Sequence, residues 1–146
     1  MRPEDWDVVK YFRPLEFPPR PDQMDRSVVF LVDTLRGLFN YPIHVTSAWS
    51  PGIGHSKNSQ HYAGKAVDFW VEGIRFVDAV NLMESFIASP PQGIGVRGKI
   101  GLGIYPHWVH PGFHLDTRGM FARWGAVTRQ GRQTYVSWNK AYEEIA

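Results

Sequence analysis

The sequence contains no cysteine. Disulfide staples, thiolate zinc sites and a cysteine nucleophile are therefore excluded. Long hydrophobic runs are missing too: nothing approaches the roughly 20 apolar residues that cross a bilayer, so no membrane span is expected. Excess charge of one sign is slight. The formal net charge is +2, and no Lys/Arg cluster accompanies it, so the electrostatic footprint of a nucleic-acid binder is lacking. Residues 1–21 carry Glu4, Asp5, Asp7 and Glu16 and no apolar h-region, so no secretory signal is read there. The glycine-rich stretch 93–103 lacks the Lys-Ser/Thr ending of a phosphate-binding loop, and its glycines suit turns between short strands.

What is present is ordinary globular usage: 43% apolar residues in a chain of 146, a length that fits one domain over 1–146. Pro3, Pro14, Pro18, Pro19 and Pro21 mark residues 1–21 as an extended arm wrapped on that domain. Asp22 stands as a cap for a helix over 23–38, where Val28, Leu31, Val32, Leu35 and Leu38 share one face. A strand is expected over 43–47, then a Gly/Ser/Asn-containing loop over 49–59. Residues 65–71 alternate as a strand, and 74–88 form a second amphipathic helix stopped by Pro90-Pro91. Short strands over 93–97, 100–105 and 112–117 follow, and Ser137 caps a last helix to 145. Helices leading into short strands predict an α+β fold: a small antiparallel sheet with helices on one face and a concave side left open.

Alternation makes a specific claim about Asp68. Val67, Phe69 and Val71 point into the core, so Asp68 points away from it, where a carboxylate needs a cation or donors to meet it. His114 and Asp116 likewise share one strand face, opposite Phe113 and Leu115. If the two strands are neighbours, Asp68 and His114 face each other on the concave side. His61 lies an odd seven residues before Asp68, so a continuous strand would separate them. Ala63-Gly64 supplies the bend that brings both to one point. A His, Asp, His set suits one Zn²⁺ per chain, and a fourth position left to water is the arrangement of a catalytic site.

The stretch Ser59-Gln60-His61-Tyr62-Ala63-Gly64-Lys65-Ala66-Val67-Asp68-Phe69 resembles the first metal motif of the zinc D-alanyl-D-alanine carboxypeptidases. That family includes L-alanyl-D-glutamate endopeptidases and shares its zinc site with hedgehog signalling domains. Gly103-Ile104-Tyr105-Pro106 followed by Phe113-His114-Leu115-Asp116-Thr117-Arg118 resembles the second motif, in the branch ending His-x-Asp. The likeness spans about half the chain, residues 43–118. It implies a zinc-dependent peptidase, with His61, Asp68 and His114 as ligands and Ser59 and Gln60 beside the substrate. Its reaction would be hydrolysis of a peptide bond in the stem or cross-link of bacterial peptidoglycan by metal-activated water. Action at the cell wall, as a monomer, follows from the same likeness, and the small positive charge suits an anionic wall polymer.

Two departures from the family pattern matter. Pro111 stands where endolysin-type members carry an Asp or Glu base, leaving His110, preferred, and Asp116 as candidates for proton transfer. Ser47-Ala48-Trp49-Ser50-Pro51 replaces a segment that in many members carries an arginine for the substrate; Arg97 and Arg118 are the candidate substitutes. These departures are what a second reading rests on, a zinc-containing module that binds cell-wall peptide or a protein partner without cutting it. His44, His55 and His107 are read as non-ligands, with His55 a candidate to line the cleft. Trp49, Trp70 and Trp108 are read as core or rim.

Overall fold

Helix α1 occupies Arg26–Phe39, and its N-cap is Asp25, whose carboxylate accepts from the Ser27 amide at 2.9 Å. The expected cap, Asp22, instead pairs with Arg20 beside a single 3-10 turn, Pro21–Gln23. Met24 then drops into the core, so the helix starts later than its polar signals imply. The proline-rich arm is a series of such turns rather than an extended strand. It delivers Phe12 and Phe17 to the core, and the terminal amine of Met1 donates to the Met24 carbonyl at 2.6 Å. The computed structural model describes residues 1–52, 54–89 and 99–145; the expected strand over 93–97, Pro90-Pro91 and Arg97 lie outside them.

Six strands form one sheet: β1 (Ile43–Ser47), β2 (Ala66–Val71), β3 (Gly101–Tyr105), β4 (Gly112–Asp116), β5 (Ala122–Arg129) and β6 (Arg132–Val136). Their order is β1-β2-β4-β3-β5-β6. The fold is α+β, as expected, but the sheet is mixed, because β5 runs parallel to β3 while the other pairs are antiparallel. Val67, Phe69, Leu102, Ile104, Phe113 and Leu115 are fully buried on one face. Each contributes about 1.5–3 kcal/mol by leaving water. Helices α1, α2 (Phe76–Ala88) and α3 (Trp138–Glu143) complete that core. Gly125 lets α3 approach, since a Cβ there would lie 2.1 Å from the Ala141 Cβ.

The hairpin β5–β6 was not foreseen from the sequence. Its signal is there: Gln130 and Gly131 both take positive φ, 50° and 72°, and Arg129 pairs with Arg132 across a two-residue loop. A turn of that hand matches the twist of the flanking strands.

The opposite sheet face carries Asp68, Trp70, His114 and Asp116, the residues that alternate away from the core. The approach to that face depends on Gly64. It ends the 3-10 turn η4 (Gln60–Ala63) in the left-handed region at φ 68°, and its carbonyl accepts from the Asp25 amide at 2.8 Å. A Cβ at Gly64 would lie 2.0 Å from the Gln23 carbonyl oxygen. Gly64→Ala therefore meets both a conformational penalty and a backbone clash, and is expected to cost at least about 2 kcal/mol in urea unfolding. A loss below about 0.5 kcal/mol would mean that the turn relaxes without harm.

Candidate metal centre

Asp68 on β2 and His114 on β4 are direct cross-strand partners, so both side chains leave the sheet side by side on its open face. His61 arrives from η4. Ser59 caps that turn, its hydroxyl accepting from the His61 amide at 3.3 Å, and the left-handed Gly64 returns the chain into β2. The bend expected at Ala63-Gly64 is the device that cancels the odd spacing. One ligand-type atom from each of His61, Asp68 and His114 lies within 4.8 Å of the others. His61 and His114 are 1% and 8% exposed, and the Asp68 side chain is 14% exposed at the floor of the cleft.

The partners on the far side of each ring decide what the near side offers. His61 Nδ1 is 2.7 Å from the Ala48 carbonyl, which only accepts, so Nδ1 carries the proton and Nε2 faces Asp68 at 3.2 Å. His114 is turned the other way round. Its Nε2 donates to Asp116 Oδ2 at 2.8 Å, and Nδ1 faces Asp68 Oδ1 at 2.9 Å. With neutral rings, two nitrogen lone pairs and a carboxylate oxygen converge with no proton among them. That is the donor set of a borderline cation such as Zn²⁺. The separations also fit, since ligands about 2.1 Å from a tetrahedral zinc stand about 3.4 Å apart. The residues present could hold a metal ion.

Without an ion the same atoms compete for protons. Burial opposes ionisation of Asp68, but hydrogen bonds from His114 and His61, when those rings carry a proton towards it, outweigh it and hold its carboxyl at about 2. Burial works against the charged form of His114, and the bonds to Asp116 and Asp68 overcome it and raise its affinity for a proton. His55 shifts the other way. Its burial, and then the neighbouring His61 ring, lower it, so it is held as the neutral imidazole.

Asp116 is fully buried and anchors the arrangement from beneath. It accepts from His114, from the Gly101 amide at 3.2 Å, and from Arg118 through Nε at 2.8 Å and Nη2 at 2.6 Å. Room for this cluster comes from Gly101, where a Cβ would lie 2.6 Å from the Asp116 carboxylate and from Arg118 Nε. Asp116 thus touches His114 and not the cleft, which makes it a positioning residue. Arg118 lines the cleft, but its fork is committed to Asp116.

His110 is not brought to this cluster. Its ring stacks on Trp70 at 4.1 Å and 9°, and it lines a separate cavity with Phe76 and Ile145. His55 is brought there instead, its ring parallel to His61 at 4.1 Å, and it lines the cleft together with Ser59 and Gln60. His44 stacks on the Trp70 ring and pairs with Glu72, while His107 pairs with Glu144. Of these four histidines, His55 alone lines the cleft.

The cleft has a volume of about 720 Å³. Opposite the His55–His61 loop its wall is built from Tyr105, Trp108, Trp124, Gln133 and Tyr135. Trp124 lies over Gly103, where a Cβ would come within 2.7 Å of the indole, and its ring is 5.2 Å from that of His114. Sequence reasoning missed Trp124, Gln133 and Tyr135 because it missed the hairpin that carries them. The Ala48 carbonyl was missed because backbone groups leave no mark in a sequence.

With this geometry in view, comparison with known families is decisive. The peptidase M15 family profile matches residues 19–110. The chain belongs to the peptidase M15 family. Comparison with curated proteins and with solved structures gave no match. The matched stretch includes His61 and Asp68 and ends before His114, so the third member of the cluster rests on the β2–β4 pairing. As a family member the chain is a metallopeptidase.

Stability should carry the mark of the buried carboxylate. Burial alone would raise Asp116, yet the bonds from Arg118 and His114 win and hold it well below the usual carboxylate range. Its contribution is therefore complete above about pH 4 and is lost as pH falls towards the depressed value. In thermal melts of chelator-treated protein between pH 6 and 2, wild type should lose stability more steeply than Asp116→Asn. Parallel curves would show that Asp116 is not paired as described.

Proposed function

We propose that the chain is a zinc-dependent peptidase that hydrolyses a peptide bond in the stem or cross-link of bacterial peptidoglycan, acting at the cell wall. The observation that carries the metal part is the convergence of His61 Nε2, Asp68 Oδ1 and His114 Nδ1 at the floor of an open cleft, with the protons of both rings committed elsewhere. His61, Asp68 and His114 would hold the ion. When bound, zinc supplies Lewis acidity, polarising an amide carbonyl and making a water nucleophilic near neutral pH. Support for the peptidoglycan substrate comes from the resemblance of the Ser59–Phe69 and Phe113–Arg118 motifs to cell-wall carboxypeptidases and endopeptidases.

The chain's own residues divide the remaining work. Asp116 fixes the His114 ring in the tautomer that leaves Nδ1 towards Asp68, as the partners of metal-ligating histidines do. The Ala48 carbonyl does the same for His61. Gln60 lines the cleft next to His61 and would bond the substrate's backbone; Ser59 already caps the His61 turn and lines the same wall. For the proton, the cleft favours His55 over the His110 expected from sequence. His55 faces the cleft beside His61 and stays neutral, able to accept, whereas His110 is held against Trp70.

Isolated sacculi incubated with the purified, zinc-loaded chain should release new amines and peptide fragments, seen by mass spectrometry. Chelator should stop the release and zinc should restore it. His61→Ala, Asp68→Ala and His114→Ala should each lose tight zinc binding and activity, while His55→Ala should keep its zinc and turn over roughly 10²–10⁴-fold more slowly. A zinc-replete wild type that cuts no wall fragment would overturn the peptidase reading in favour of a non-cutting zinc module.

A further inference from the structure

The two walls of the cleft differ in chemistry. One is the polar loop carrying Ser59 and Gln60; the other is a set of aromatic faces. Among the described residues the cleft lining contains no aliphatic side chain and no phenylalanine. A pocket shaped for an apolar side chain would be lined mainly by such groups.

The aromatic wall is braced from within. Tyr105 and Trp108 stack at 4.1 Å and 21°. The Trp124 indole N–H donates to the Tyr105 hydroxyl at 3.0 Å, and the Trp108 indole N–H donates to Gln133 Oε1 at 3.1 Å. Both indole donors are thereby spent, which fixes the ring planes. Tyr105 and Trp108 cover one face of each other and Arg118 lies over the Trp124 ring at 5.0 Å, so the ring most open to a ligand is that of Tyr135. At the wall's edge stand the Gln133 amide nitrogen and Tyr135, whose hydroxyl bonds the Tyr105 side chain and which is 61% exposed. Fixed faces bordered by amide and hydroxyl groups match an amphipathic ring: its C–H face lies against the negative face of the aromatic ring, and its rim hydroxyls bond outward. A pyranose has that shape and polarity.

The wall also has its own origin in the chain. Trp124, Gln133 and Tyr135 belong to β5 and β6, beyond the stretch 19–110 that matches the family profile. The metal cluster is reached from both sides of that boundary, but these wall residues come only from the later part.

We propose that the β5–β6 hairpin forms a saccharide subsite, so that the chain recognises stem peptide still attached to its sugar in preference to free peptide. This rests on the peptidase reading for the cleaved bond but not for the binding of the sugar.

The test uses the full chain loaded with zinc. Isothermal titration with tetra-N-acetylchitotetraose, which has no stem peptide, should show binding to wild type and to Tyr135→Phe. Tyr135→Ala should weaken it by roughly tenfold, the scale of one lost aromatic contact. Tyr135 is exposed on an edge strand, so the variant is expected to fold, and an unchanged melting temperature checks this. In a second arm, kcat/KM is compared for a disaccharide-tetrapeptide and the same tetrapeptide without sugar. Wild type should favour the sugar-bearing substrate, and Tyr135→Ala should bring the ratio towards one. No binding of the oligosaccharide, or an equal affinity in Tyr135→Ala, would overturn the subsite even if peptide is cut. Saccharide binding that depends on Tyr135 without any peptide cleavage would uphold the subsite and sink the peptidase reading instead.

Discussion

The Asp68 carboxylate faces two imidazole nitrogens whose rings have already spent their protons on other partners, and the rest of the site is arranged to keep it so. Left without a cation, three electron-rich atoms so close together would repel or draw in protons. Each element around them removes an escape. The β2–β4 register sets Asp68 directly across from His114, the 3-10 turn at Gln60–Ala63 brings His61 over the same point, and the Ala48 carbonyl and Asp116 hold the rings from behind. The two histidines present opposite nitrogens, Nε2 from His61 and Nδ1 from His114. That follows from where their outer partners sit: a loop carbonyl in one case, a carboxylate two residues along the same strand in the other.

The glycines show how tightly this is built. Gly64 has no room for a Cβ against the Gln23 carbonyl, Gly101 none against Asp116 and Arg118, and Gly103 none against Trp124. Two of these lie on β3, the strand beside His114, where side chains would otherwise fill the open face of the sheet. Their absence there lets the carboxylate–arginine pair and the indole occupy the space, so a strand that carries no reacting group still shapes the floor and the wall of the cleft.

Much of this was legible in the sequence. Alternation in Ala66–Val71 and Gly112–Asp116 put Asp68 and His114 on one face, and Ala63-Gly64 marked the bend that admits His61. The helix start was misplaced because Asp22 and Asp25 are both good caps, and the choice between them was made by the burial of Met24. His110 stood as a candidate for proton transfer because Pro111 takes the place of the family's acidic base. In space it is drawn to Trp70, since a stacking partner two residues along the sheet face outweighs a position beside the cleft. The parallel pairing of β5 with β3 could not be read locally, because it depends on the β4–β5 connection passing across β3 rather than on any pattern within β5 itself.

The central claim concerns protons on two rings, and long-range ¹H–¹⁵N correlation spectra of the histidine side chains address it directly. In the chelator-treated chain near pH 8, His61 should appear as the Nδ1–H tautomer and His114 as the rarer Nε2–H tautomer. One equivalent of zinc should then move the resonances of His61 Nε2 and His114 Nδ1, leaving the protonated nitrogen of each ring in place. If both rings adopt the same tautomer, or if zinc shifts neither nitrogen, the arrangement of lone pairs described above is wrong.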